Sequence, residues 1–296
     1  MACVLSPALL LTVLLAVQAT SSPIQLHKRN LNTPVIDPNG DFDDQDIQQL
    51  TDAFSDALEL ASYAVTDLDD DIFQKYFDEA DQTTVLSVFD NILGNPADES
   101  SPIGNAKLTQ ITVTSDYIDD DFPNYVCDGA TFAAIRNELA DNPTIVICPS
   151  AFGHGGNGKS YGDESSNNFV DAITCEYFTQ ASTRVSWMME TLGAILLHEY
   201  THFQSLVDPA LADPTTDYEG ENGDPESVGP YSARNLDHGL AVTNADSYTW
   251  MATENLWSVI CKNEGPYDDP TEDDAVDSNC GDETCGYGDD DGTDID

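Results

Sequence analysis

Basic residues are what this chain has least of. Nine Lys and Arg stand against 55 Asp and Glu, a formal net charge of −46 over 296 residues. A field of that sign repels nucleic-acid phosphates and anionic lipid surfaces, so neither is an expected partner. It suits cationic partners, divalent metals, or plain solubility in an acidic medium. Long apolar runs are also scarce: the one from Leu9 to Val17 is too short to span a bilayer, and no second one follows. No Asn-X-Ser/Thr acceptor exists, because the near match Asn142-Pro143-Thr144 carries the forbidden proline. Histidine is rare as well, with five in the chain.

The short apolar run has a use at the N-terminus. With small residues at Val17 and Ala19, residues 1–19 read as a cleaved secretion signal, although no Lys or Arg precedes the run. Lys28-Arg29 then marks a processing site for a short propeptide over 20–29; two solvated charges on a flexible terminus are the alternative. Removing Cys3 with the signal leaves six cysteines, at 127, 148, 175, 261, 280 and 285. An even number in an exported chain implies up to three disulfides, with Cys280–Cys285 favoured by its short separation. The expected location is therefore extracellular.

A hydrophobic content of 40% supports a real core. Residues 46–94 read as helices, with Leu50, Phe54, Leu58 and Ala61 at three-to-four spacing and Gly94-Asn95-Pro96 closing the run. LTQITVTSDYI (108–118) alternates as a half-buried strand does, ATFAAIRNELA reads as a short helix, and TIVICPSAF as a strand. A long helix is expected from about Thr183 to Leu206, then an irregular proline-containing stretch over 208–231, then a helix from Ala245 to Cys261. From Glu264 onward 14 acidic residues and no basic one read as a disordered or cystine-clipped tail. No internal repeat is visible. The expected architecture is α+β: one helix-dominated domain over 30–263 with a small sheet, followed by the acidic tail over 264–296.

Two motifs resemble chemistry without its context. Gly153 to Ser160 satisfies the phosphate-cradling pattern G-x-x-x-x-G-K-[ST], but Tyr161-Gly162-Asp163 is poor sequence for the helix that must follow. The alternate aspartates from Asp289 to Asp296 lack the frame and the closing Glu of a calcium loop.

The third motif is different. HEYTH, residues 198–202, sets His198 and His202 four apart, so on a helix they project from one face. Zinc takes such nitrogens in a tetrahedron and leaves a position for water, which Glu199 can deprotonate as a general base. Leu192, Ile195, Leu196 and Leu197 give the helix a buried face. Downstream, Asp208, Asp213, Asp217, His238 and Glu254 are all candidates for a third ligand.

HEYTH, the later Asn244-Ala245-Asp246-Ser247-Tyr248, and Cys148-Pro149-Ser150-Ala151-Phe152 after a strand together resemble the fungal aspzincins, secreted deuterolysin-like and lysine-specific endopeptidases. The resemblance covers about residues 45–260. It implies a zincin-like fold, a zinc cofactor, and protein or peptide substrates. It implies His198, His202 and Asp217 as zinc ligands, with Thr215-Thr216-Asp217-Tyr218 as the segment that supplies the third. Glu199 is the implied base and Tyr231 the implied tyrosine assisting the transition state, with Tyr218 the alternative because Glu219 to Gly229 is inserted between them. Asp246 is implied to contact the substrate; its usual acidic partner position is Thr249, so selectivity for lysine is expected to be weaker. The reading that competes with an endopeptidase is a secreted zinc-binding protein, a scavenger or surface antigen, without turnover. An extended substrate is expected to pair with the strand at Thr144–Cys148.

Overall fold

The structure is a computed structural model and describes residues 31–94, 103–115, 127, 131–152, 184–218, 229–261 and 267–271. The expected signal and dibasic site, the loop 153–160, the Cys280–Cys285 pairing and the aspartate run at the C-terminus lie outside them. Within the described residues the chain is mixed α/β, with eight α-helices and one four-stranded sheet. No described helix is long and apolar enough to cross a membrane.

The first third is helical, as its periodicity predicts: α1 (Asp44–Thr66), α2 (Asp70–Phe73) and α3 (Gln82–Leu93). Leu50, Phe54, Leu58 and Ala61 form part of the buried face of α1. Asp43 caps that helix by accepting from the N–H groups of Gln45 and Asp46, while the Asp46 side chain returns to the Asp43 N–H. This reciprocal box satisfies donors that the first turn leaves unpaired. α3 stops at Gly94, whose φ of 83° is left-handed and costs glycine nothing.

The sheet runs β1 (Val35–Ile36), β2 (Thr112–Thr114), β4 (Thr144–Ile147), β3 (Ala133–Arg136) in space. β1, β2 and β4 are parallel, and β3 is antiparallel to β4, with Ile135 opposite Ile145. Three expectations are corrected here. Ala133–Arg136, which reads as part of a helix, is a strand: pairing with the β-branched run of β4 overrides the helix propensity of its alanines. Asn137 then turns the chain with φ 58°, a conformation asparagine tolerates. The strand expected over 108–118 shrinks to β2, because Ala106–Gln110 forms a 3₁₀ turn. β4 lies between β2 and β3, so its main chain is already paired on both sides, and β3 is the outer strand on that flank. A disulfide joins Cys127 to Cys148, just past the end of β4.

The expected 183–206 helix is shorter. α4 spans Leu192–Thr201, its N-terminus capped by the Thr191 hydroxyl. The chain breaks at Phe203, which is extended, and resumes as α5 (Gln204–Val207). α4 is apolar nearly all round, and such a helix belongs in the interior. It packs on α1, on β3 and on α8 (Ala245–Cys261). A Cβ on Gly193 would stand 2.6 Å from the Asp56 Cβ, so glycine permits the close α1–α4 approach. Two short helices precede α8: α6 (Gly229–Asn235) and α7 (His238–Ala241). Past α8, Tyr267 is buried and Val185 N–H donates to the Asp268 carbonyl, so residues 267–271 of the acidic segment pack on the body.

Candidate metal centre

His198 and His202 sit one turn apart at the end of α4, with their Nε2 atoms 3.1 Å apart. The next shell fixes each ring. His198 Nδ1 lies 2.6 Å from Asp246 Oδ1, and His202 Nδ1 lies 2.8 Å from the Thr215 carbonyl. A carbonyl only accepts and an ionised carboxylate only accepts, so both Nδ1 atoms donate. In the neutral imidazoles both Nε2 lone pairs then face each other. Asp217 adds a third acceptor, with Oδ1 3.2 Å from His198 Nε2 and Oδ2 3.5 Å from His202 Nε2. Three acceptors converging without a donor repel one another unless a cation lies between them. A tetrahedron with metal–nitrogen bonds of about 2.0–2.1 Å has edges of about 3.3–3.4 Å, the spacing seen here. His198, His202 and Asp217 thus form a group that could hold a metal ion.

The irregular stretch that supplies Asp217 is held residue by residue. Thr215 N–H donates to the Thr201 carbonyl at 3.3 Å, and the two threonine hydroxyls lie 2.7 Å apart. Thr216 N–H donates to Thr243 O, and Ala245 N–H donates back to Thr216 O. Residues 215–217 are thereby pinned between the end of α4 and the start of α8. Asp217 remains 47% exposed, so the site is open to solvent on that side. Without a metal, protons take the cation's place: burial lowers both histidines, but the neighbouring carboxylates outweigh it and raise them, and the charged rings in turn hold the Asp217 carboxyl well below the usual range against its own burial.

Glu199 follows His198 on α4. It is buried, and burial raises its carboxyl despite the lowering influence of His198 and His202. The nearby main-chain N–H of Ile135 also draws it downward. Because Phe132 and Cys148 form a hydrogen-bonded pair, alternation along the ladder turns the Ile135 N–H away from β4. The edge of β3 therefore faces the carboxylate beside the histidines.

The structure separates the candidates for the third ligand. Asp217 joins the histidines. Asp208 and Asp213 are exposed and stand outside the group. His238 pairs with Asp78 at 3.1 Å. Glu254 is fully buried against Arg234 at 2.7 Å. Tyr218 lies within 2.5 Å of the Thr243 hydroxyl, which itself donates to Leu240 O; the Tyr218 hydroxyl is therefore the donor and its proton is in use. Tyr231 is half-buried on α6, two residues from Gly229.

Asp246 requires a correction. Expected to contact substrate, it is buried, with Oδ1 on His198 and Oδ2 accepting the Gly229 N–H. Both oxygens are occupied inside the protein, so it orients a histidine instead of gripping a ligand. The Asn-Ala-Asp signal located this residue, but its role depends on which helix faces it. The contributions of Thr215, Gly229 and Ile135 have no sequence signal, because they come from main-chain groups, which carry no side-chain signature.

No known family's sequence model matches the chain, and no curated protein sequence matches it.

Proposed function

We propose that the protein is a secreted zinc metalloendopeptidase of the aspzincin kind, built on a zincin-like fold. The observation that carries this reading is the convergence of three acceptors, His198 Nε2, His202 Nε2 and Asp217, after both Nδ1 donors have been used. Two imidazoles and one carboxylate suit zinc and leave a coordination position open. The disulfide Cys127–Cys148 suits an oxidising compartment.

A zinc ion held there supplies Lewis-acid polarisation of a water and of the scissile carbonyl. The chain's own residues do the rest. Glu199, adjacent to the ligands and raised by burial, takes the water's proton and passes it to the leaving amine. Tyr231 hydrogen-bonds the developing oxyanion, because the Tyr218 hydroxyl is already donated to Thr243. Asp246 and the Thr215 carbonyl hold the histidines in the tautomer that leaves Nε2 for the metal. An extended peptide lies along β3, the outer strand beside Glu199, and not along β4.

The test uses the processed full chain. Zinc content is measured, and casein cleavage is followed with zinc, with chelator, and in Glu199→Gln. The expected result is cleavage that chelator abolishes and that Glu199→Gln loses with zinc retained. Zinc bound without cleavage in the wild type would favour a zinc-binding protein without turnover. Absence of bound zinc would sink both readings.

A further inference from the structure

The metal site is braced at a distance through α6. This helix has only seven residues, too few to hold its own shape, so its pose is set by what grips its two ends. At the first end the Gly229 N–H meets Asp246 Oδ2, whose other oxygen holds His198. Gly229 has φ 84°, and a Cβ there would stand 2.3 Å from Trp187 Cζ2, so the backbone has one place to sit.

At the other end Arg234 is buried. Its Nη2 reaches both Glu254 oxygens at 2.7 Å, and its Nε reaches Oε2 at 3.2 Å. Its guanidinium lies 5.1 Å from the centre of the Tyr76 ring, and Nη1 pairs with Asp269. Glu254 is saturated in turn, accepting from the Tyr76 hydroxyl at 2.8 Å and from the Tyr267 N–H at 2.9 Å. Asp246 and Glu254 both project from α8, eight residues and about 12 Å apart along one rigid rod. A helix pinned at two points on one rod cannot slide without breaking a buried charge pair or stripping Asp246 of its second donor.

From this arrangement we infer that Arg234 is a positioning residue for the metal site. It fixes α6 so that the Gly229 N–H holds Asp246, and Asp246 holds His198 in its ligating orientation. The segment 267–271 is the outer brace. Of five Lys and Arg within the described residues, three are on it: Lys75 and Arg234 on Asp269, and Arg184 on Thr271. In a chain so poor in cations, that concentration marks the place where pose matters. The inference rests on the metal reading above and goes beyond it by naming a residue that touches neither ligand nor metal.

The experiment measures zinc affinity of the full chain by competition with a chromophoric chelator, alongside thermal midpoints. Arg234→Lys keeps the charge but loses the planar fork. It is expected to weaken zinc binding about five- to tenfold, less than the 10–100-fold typical of a direct partner of a ligand. Val88→Ala, in the buried core of α3, serves as the control: a comparable fall in midpoint with affinity within about twofold of wild type. Glu254→Gln is expected to move affinity in the same direction and decides the matter if Arg234→Lys does not fold. Faster exchange of the Gly229 amide in either variant would identify α6 as the route. Affinities in both variants equal to the control's would overturn the inference with the metal site intact. A wild-type chain that takes up no zinc would overturn both.

Discussion

Helix α8 buries a carboxylate at each of two stations, and the two differ in what neutralises them. Glu254 meets a cation from the chain itself, Arg234, and every acceptor there has a donor. Asp246 meets His198, behind which stand the two imidazole Nε2 atoms and a second carboxylate with no Lys or Arg among them. One cluster is complete and the other has acceptors in excess. Buried polarity alone therefore does not mark a functional site; a local deficit of positive charge does.

The largest expected effects come from emptying each cluster of its central group. His202→Ala should abolish stoichiometric zinc uptake, read by metal analysis, and casein cleavage with it. Glu254→Ala should leave zinc ligation groups in place yet strip buried Arg234 of its buried counter-charge, leaving only the exposed Asp269, at a cost of about 3–5 kcal/mol in denaturant unfolding. If the two variants behaved alike in both measurements, the distinction between the clusters would fail.

A third buried carboxylate, Glu59 on α1, sharpens the contrast because its Oε1 has no partner among the described residues. Burial raises its carboxyl from 4.5 to about 7. The folded state then binds more protons than the unfolded state between those values, so stability falls as pH rises through that window. The rise corresponds to about 3 kcal/mol, absent below pH 4.5 and fully expressed above pH 7. Glu59→Gln should flatten this part of the stability–pH curve and raise neutral-pH stability, as chemical denaturation across the window would record.

Asp246→Asn is expected next in size, with zinc affinity down about 10–100-fold while the thermal midpoint changes less than in Glu254→Ala. The smallest effect is expected from Thr201→Val. It removes a hydroxyl that donates to His198 O or pairs with Thr215, at about 1 kcal/mol of stability with a modest loss of zinc affinity.

Much of the site could be read in the sequence because helical spacing is a local property. His198 and His202 share a face whatever surrounds them, and Ala245–Cys261 forms the helix its pattern predicts. In the sequence Asp217 is one candidate among several carboxylates, and only the resemblance of its segment singles it out. Its position depends on hydrogen bonds that tie Thr215 to the end of α4 and Thr216 to Thr243 and the first residue of α8, contacts no local pattern encodes. β3 escapes the sequence pattern for a related reason. Ala133–Arg136 has little preference of its own and takes its conformation from the strand beside it.

By itself, then, the sequence determined the long helices α1, α3 and α8, the histidine pair and the adjacent glutamate, since 3.6-residue periodicity and side-chain identity need no partner. Only the tertiary structure decided that Asp217 completes the group, that Asp246 faces a histidine, and that Glu254 belongs to Arg234. Those choices turn on which carboxylate meets which basic side chain across 15 to 48 residues of chain, and that depends on packing, not on composition or spacing.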